Sequence, residues 1–269
     1  MSDELIDIGI NLTHDSYDHD REEVLRRALD VGVVQFVVTG ASLEGSRAAM
    51  ALARAAPRIL RATAGCHPHH AVDLDDVSFA QLCEIAEDPL IAAVGETGLD
   101  YHRNFSAPRE QRLAFERQVD LAIRIRKPLF LHERDAHADF MAILRERRAQ
   151  LPAAVLHCFT GNAEALDACL EFGLYIGITG WICDERRGLH LRELVARIPA
   201  GRLMIETDGP YLLPRDLQPK PESRRNEPMY LSHIARVIAE ARGETPKSLA
   251  AHTTATARKF FALPDLVSN

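Results

Sequence analysis

Short runs of β-branched and aliphatic residues alternate with amphipathic helical stretches along the whole chain. This alternation constrains the fold more than any other feature of the sequence. The runs are Leu5–Leu12, Gln35–Gly40, Leu60–Cys66, Ile91–Gly95, Pro128–His132, Ala154–Cys158, Leu174–Thr179 and Leu203–Glu206, and a loop and a helical pattern follow each one. The stretch Pro108–Arg126 shows the pattern well. Pro108 suits a first helical position, Phe115, Val119, Ala122 and Ile123 recur at helical spacing, and Lys127-Pro128 ends the helix and opens the next strand. Asp135 is the expected cap of the following helix, whose apolar stripe is Phe140, Ile143 and Leu144. Eight strand–helix pairs in 269 residues predict an α/β fold, a (β/α)8 TIM barrel forming one domain over residues 1–269. The competing architecture, a doubly wound open sheet, usually carries a Gly-rich phosphate fingerprint after its first strand, and Asp7-Ile8-Gly9-Ile10-Asn11-Leu12 is not one.

A barrel gathers its chemistry where strands end and βα loops begin, so the residues at strand ends carry the functional reading. The third run ends in Gly65-Cys66-His67-Pro68-His69-His70, the fourth in Gly95-Glu96-Thr97-Gly98-Leu99-Asp100, the fifth at His132, the sixth in His157-Cys158-Phe159 and the eighth in Glu206-Thr207-Asp208-Gly209. Taken alone, each of these polar residues reads as a loop hydrogen-bonder. Together they read as a metal site. Imidazole and carboxylate suit Mg, Mn or Zn, and Glu96, His132 and His157 from consecutive strands form the candidate ligand set. Asp208 completes the shell or takes a proton from water, and the expected chemistry is metal-assisted hydrolysis.

Net charge limits the substrate side of that reading. Lys and Arg number 32 against 39 Asp and Glu, a net charge of −7, so bulk surface charge does not hold nucleic acid here. An anionic substrate needs a local basic patch or a bound cation. The loops after the seventh and eighth runs supply such a patch: Arg186, Arg187, Arg215, Lys220, Arg224, Arg225 and Asn226. The competing reading makes these arginines ordinary solvated ion pairs, with Arg186 on Asp184 and Arg224 on Glu227. Trp181 and Tyr211 are read either as stacking surfaces for bases or as loop packing. His14, His19, His190, His233 and His252 are read as surface residues. The five cysteines form no C-x-x-C pair, so they are read as packing residues in a reducing compartment. The acidic start, with no signal-peptide pattern and no apolar stretch near the ~20 residues of a span, predicts a cytoplasmic protein that does not meet the membrane.

At these motifs the chain resembles the TatD family of metal-dependent deoxyribonucleases, nearly end to end. The resemblance is carried by Asp7-Ile8-Gly9-Ile10-Asn11-Leu12-Thr13, Ala64-Gly65-Cys66-His67-Pro68-His69, Gly95-Glu96-Thr97-Gly98-Leu99-Asp100 and Leu156-His157-Cys158-Phe159-Thr160-Gly161. It continues in Ile176 to Gly188, in Thr207-Asp208-Gly209-Pro210-Tyr211-Leu212-Leu213-Pro214-Arg215, and in Ser223-Arg224-Arg225-Asn226-Glu227-Pro228. The resemblance implies a Mg²⁺-dependent 3′→5′ exonuclease of single-stranded DNA, with RNA as a second substrate and a role in DNA repair or fragmentation. Mn²⁺ and Zn²⁺ are the alternative ions, and a monomer is expected. By motif position, Glu96, His132 and His157 bind metal, Asp208 and Glu96 are catalytic, and His67, His69, Arg224, Arg225 and Asn226 bind substrate. Many relatives carry an H-x-H pair at the first strand end. Here Gly9 and Asn11 occupy those positions, so a tightly held second metal is not expected. Glu133 stands where the family commonly has Cys and is assigned no role. Two rival functions remain at this level: hydrolysis of amides, esters or aminoacyl-tRNA at the same rim, and a non-catalytic binding barrel.

Overall fold

The computed structural model describes residues 3–266. Eight parallel strands lie in one sheet in chain order, β1 (Leu5–Ile10), β2 (Val33–Val38), β3 (Leu60–Ala64), β4 (Ile91–Asp100), β5 (Leu129–Arg134), β6 (Ala154–Leu156), β7 (Tyr175–Ile178) and β8 (Leu203–Ile205). The Asp208 N–H just after β8 donates to Gly9 O on β1 at 2.8 Å, so the last strand meets the first, as the (β/α)8 barrel requires. The helices are α1 (Arg21–Asp30), α2 (Leu43–Ala55), α3 (Asp76–Glu87), α4 (Pro108–Ile125), α5 (His137–Glu146), α6 (Ala163–Phe172), α7 (Leu189–Leu194), α8 (Leu231–Arg242) and α9 (Pro246–Phe261). None of the described helices is long and apolar enough to cross a membrane.

The strands match the sequence reading with shifted ends. Most stop one or two residues earlier, because the polar residues after them leave the ladder to enter βα loops. β4 runs five residues further than expected, through Asp100, and β5 continues to Arg134. The strands are nearly all buried, as their continuous Val, Ile and Leu runs require of a parallel sheet covered by helices.

Helix α4 begins at Pro108, where the Ala107 N–H donates to Glu110 Oε2 at 2.8 Å, and ends on Arg126 at φ 58°. Phe115, Val119 and Ala122 are buried as their spacing predicts, and the Phe115 ring stacks on Phe140 of α5 at 5.4 Å. The start of α5 corrects one expectation. Asp135 does not cap it. Asp135 lies at φ 54° and pairs with His102 at 2.9 Å, while the Ala136 N–H is taken by Glu133 Oε1 at 2.7 Å.

The chain divides into two compact units, Val38–His157 and the described residues on either side of it. In the flanking unit, α9 packs on β1 and β8, and a polar joint links α8 to α9. Glu244 accepts from Arg242 Nε at 2.6 Å, His252 Nε2 at 3.0 Å and Ser248 Oγ at 2.7 Å. Burial works against its ionisation, but these partners prevail and bring its pKa from 4.5 down to about 2. A carboxylate whose pKa falls on folding stabilises the fold above its unfolded value and loses that contribution as pH drops toward the folded one. Glu244→Gln should therefore cost about 1–2 kcal/mol at pH 7, discounted for partial solvent access, and only about a quarter of that near pH 2.5. Denaturant melts across that range check this, and a difference that stays constant with pH would refute it.

Candidate active site

The site in Val38–His157 starts from the β4 sequence Gly95-Glu96-Thr97-Gly98. Val94 pairs with Leu129 and Thr97 with Leu131, so β4 spends one more residue than β5 between these partners. This is a bulge, and Glu96 sits inside it. Its N–H leaves the β5 ladder and donates to Gly40 O at 3.0 Å. Glycine is required on both sides of the bulge. Gly95 has φ 135° and Gly98 φ 148°, and a Cβ would stand 2.0 Å from Phe130 O and 1.8 Å from His132 O, respectively. The two glycines thus let β4 press against β5 and turn the Glu96 carboxylate inward.

Three imidazoles meet that carboxylate. His157 Nε2, His132 Nδ1 and His67 Nε2 lie 2.8, 3.2 and 3.4 Å from the same oxygen, Glu96 Oε1. His157 enters from the end of β6, where its N–H donates to Leu131 O at 2.9 Å and its ring stacks on Phe130 at 4.6 Å. His67 opens the turn Pro68–Asp73, and its Nδ1 accepts the His69 N–H at 3.1 Å. Burial resists ionisation of Glu96, but the facing His157 and His67 rings and the hydrogen bonds from His132 and His157 outweigh it and hold the carboxyl well below its ordinary range. Burial dominates at His67 and keeps that ring neutral. At His132 burial is overcome by the Asp100 and Glu96 carboxylates, and the pKa is raised.

Proximity and ring-nitrogen partners describe what these rings offer a cation. Glu96, His132 and His67 each offer a donor atom within 4.8 Å of the others, so proximity alone favours that trio. A neutral His67 whose Nδ1 accepts a backbone N–H carries its proton on Nε2, the atom facing Glu96. His67 is therefore a hydrogen-bond donor in this network. His132 behaves oppositely. Its Nε2 is buried with no hydrogen-bond partner, 3.7 Å from Asp100 Oδ2. An orphaned ring nitrogen beside two carboxylates is what a site for a hard or borderline cation offers. Glu96 and His132, with His67 or His157 as a third nitrogen donor, are the donor types that suit a divalent ion. A second trio, Cys183, Asp216 and His233, is equally close-set but does not fit one. Arg236 donates to His233 Nδ1 at 2.8 Å, which puts the His233 proton on Nε2, and that atom donates to Asp216 at 2.7 Å in a closed hydrogen-bond chain. His233 and His252 are thus half-buried and partnered, where the sequence suggested surface residues.

Three residues of this site were given no role in the sequence reading. Asp100, 2% exposed, accepts from His69 Nε2 and from the N–H groups of His102 and Arg103, each at 2.9 Å, and its pKa falls well below the ordinary range despite burial. Gln111 and Gln118 point inward from α4. Gln111 Oε1 accepts the Asp100 N–H at 2.8 Å, while Gln118 Oε1 accepts the Cys66 N–H at 2.7 Å and its Nε2 donates to Cys66 O at 3.0 Å. The detectable sign was a pair of glutamines two helical turns apart on an otherwise apolar face.

The flanking unit holds the other expected site residues. Asp208, half-buried at φ 54°, accepts from Asn11 Nδ2 at 2.9 Å, so Asn11 orients this carboxylate. Two buried carboxylates flank the segment that carries it, Glu206 just before it in the chain and Asp7 bonded to Thr207. Glu206 accepts the Cys158 N–H at 2.6 Å, and burial lifts the Asp7 pKa to about 7 against bonds from Thr207 and Gly9. Arg225 is bound on both sides, 2.7 Å from Asp20 Oδ2 and 2.7 Å from Glu227 Oε1. Arg225, rather than Arg224, is the partner of Glu227. Asn226 is fully buried and donates to Thr207 O at 2.8 Å. Arg224 is exposed, and no ion pair holds it among the described residues. Arg186, Arg187 and Arg215 lie 3.6, 3.0 and 3.8 Å from the buried Asp184 carboxylate. Trp181 packs under Arg187, whose guanidinium carbon is 4.3 Å from the ring centre.

Comparison with known proteins shows the family and the fold. The family described as TatD related DNase matches residues 6–262. Proteins named 3′-5′ ssDNA/RNA exonuclease TatD are similar over almost the whole length. The one from Erwinia billingiae is 51% identical over 97% of this chain and all of its own, and that from Salmonella typhimurium is 51% identical over 96% and 98%. Among solved structures, YjjV, a TatD homologue from Escherichia coli, superposes with a TM-score of 0.88 at 28% identity over 98% of this chain and all of that one. A TatD-family hydrolase from Entamoeba histolytica gives 0.89 at 25%, again over 98% and 100%.

Proposed function

The chain belongs to the family of TatD-related DNases, and from that premise we propose that it is a Mg²⁺-dependent 3′→5′ exonuclease of single-stranded DNA and RNA. The observation that carries the reading is the meeting of three imidazole nitrogens at one oxygen of Glu96, with the buried Nε2 of His132 left without a partner. Glu96, His132 and His157 would hold the ion. When bound, it supplies Lewis acidity to a phosphodiester and lowers the pKa of water. His67, neutral and protonated on Nε2, would turn that N–H from Glu96 to a phosphate oxygen of the substrate, and His69 beside it keeps Asp100 engaged. Asp208, oriented by Asn11, accepts the proton of the attacking water. Arg224 supplies the exposed positive charge for the phosphate backbone, while Arg225 and Asn226 shape its loop. No disulfide forms among the described residues, which suits a reducing cytoplasm, and we place the enzyme there as a monomer acting in DNA repair or fragmentation.

Incubating the purified protein with a 5′-labelled single strand and Mg²⁺ tests this reading. The expected product is a ladder shortening one nucleotide at a time from the 3′ end. EDTA should abolish it, and Mn²⁺ and Zn²⁺ are compared as replacements. Internal cuts, or loss from the 5′ end, would overturn the polarity. Asp208→Asn keeps the Asn11 contact but removes the proton acceptor, so it should slow turnover by about 10²–10⁴-fold with little change in KM.

A further inference from the structure

We propose that Phe105 is a stacking platform for a nucleobase flanking the scissile phosphate. This assignment rests on the nuclease reading above. Phe105 is 65% exposed. A single exposed apolar residue is ordinary on a protein surface, but this one is held in place. The next residue, Ser106, is 2% exposed and tied on both sides. Its Oγ donates to His69 O and accepts the Val72 N–H, both at 3.1 Å, and its carbonyl accepts from Gln111 Nε2 at 2.9 Å. On the other side Asn104 Nδ2 donates to Tyr101 O at 2.6 Å. The backbone that carries the ring is thereby fixed, while the ring itself stays in solvent.

The ring also lies at the head of a row that leads into the site. Phe105 meets His69 edge-on with centroids 4.7 Å apart, His69 meets His67 at 4.2 Å, and His67 meets His132 at 4.4 Å. An aromatic surface fixed one ring away from His67, the histidine assigned to the phosphate, suits the base of the nucleotide bearing that phosphate. Every base has a π-face, so such a platform is tolerant of sequence, as a single-strand exonuclease requires. Phe105 would act on substrate affinity, whereas Glu96 and Asp208 would act on the chemical step.

Steady-state kinetics on matched oligonucleotides test the proposal. One strand is intact, and two carry a single abasic site, at the 3′-terminal or at the penultimate position. The wild-type enzyme should lose tenfold or more in kcat/KM on one of the abasic strands. Phe105→Ala should raise KM on the intact strand by about tenfold and shrink the abasic penalty to under twofold, whereas Phe105→Trp should retain both wild-type values. Thermal melts confirm that each variant is folded. A Phe105→Ala enzyme with wild-type KM, or with the full abasic penalty, overturns the platform. A wild-type enzyme that degrades no single strand overturns the nuclease reading instead.

Discussion

Glu96→Gln should reduce nucleotide release at saturating single-stranded DNA by about a thousandfold or more, because it loses on the order of 4 kcal/mol of transition-state stabilisation. The reason is geometric. One oxygen of this residue is shared by three imidazoles, so the neutral amide removes a ligand charge and the partner of His132 together. The amide is nearly the same shape, so the β4 bulge keeps its packing. Two measurements separate loss of the site from loss of the fold. The wild-type melting temperature should rise on adding Mg²⁺ or Mn²⁺, since an ion that binds only the folded state stabilises it, and that rise should vanish in Glu96→Gln. The variant without metal should still melt cooperatively. A variant that keeps both the metal-dependent rise and its activity would show that Glu96 is not a ligand.

Gly98→Ala is expected to have the largest effect on stability. The new methyl group would lie 1.8 Å from His132 O and 2.8 Å from His132 C, on a residue at φ 148°. Both obstacles are backbone and neither can swing aside, so strain and overpacking add to about 3 kcal/mol or more. For a chain of this size that corresponds to a drop in Tm of roughly 6 °C or more. Surviving folded protein should also bind metal poorly, because relief of the clash pushes the backbone of His132 outward. Gly201→Ala is the control, since nothing lies within 4 Å of its Cβ position, and it should be neutral to within about 0.5 kcal/mol. Equal melting temperatures for the two variants would refute the close approach of β4 and β5.

The strand–helix alternation was legible because parallel strands covered on both faces must be apolar throughout. Glu96, His132 and His157 were legible because polar side chains at the ends of such strands have few structural reasons to recur. Other features depend on tertiary contacts that leave no local trace. Asp135 is a good cap by composition, but Glu133 reaches the Ala136 N–H first and Asp135 turns to His102. Arg225 and Arg224 are neighbours of the same type, and only the position of Asp20 decides which one is neutralised. That His67 turns a donor toward Glu96 depends on which ring nitrogen faces the His69 amide, a matter of rotamer. Asp100 stood within a recognised motif, yet its role emerges only where β4 outruns its expected end.

Helix α4 has a consequence beyond its share of the core. Through Gln118 and Gln111 it grips the main chain at Cys66 and at Asp100, one residue before His67 and four after Glu96. The helix is therefore a splint that sets the spacing of two loops, and a slip of the whole rod would move both together. Substitutions on its outer surface, remote from any nucleotide, should alter catalysis and thermal resistance in step, so that evolution can tune turnover here without touching a single ligand.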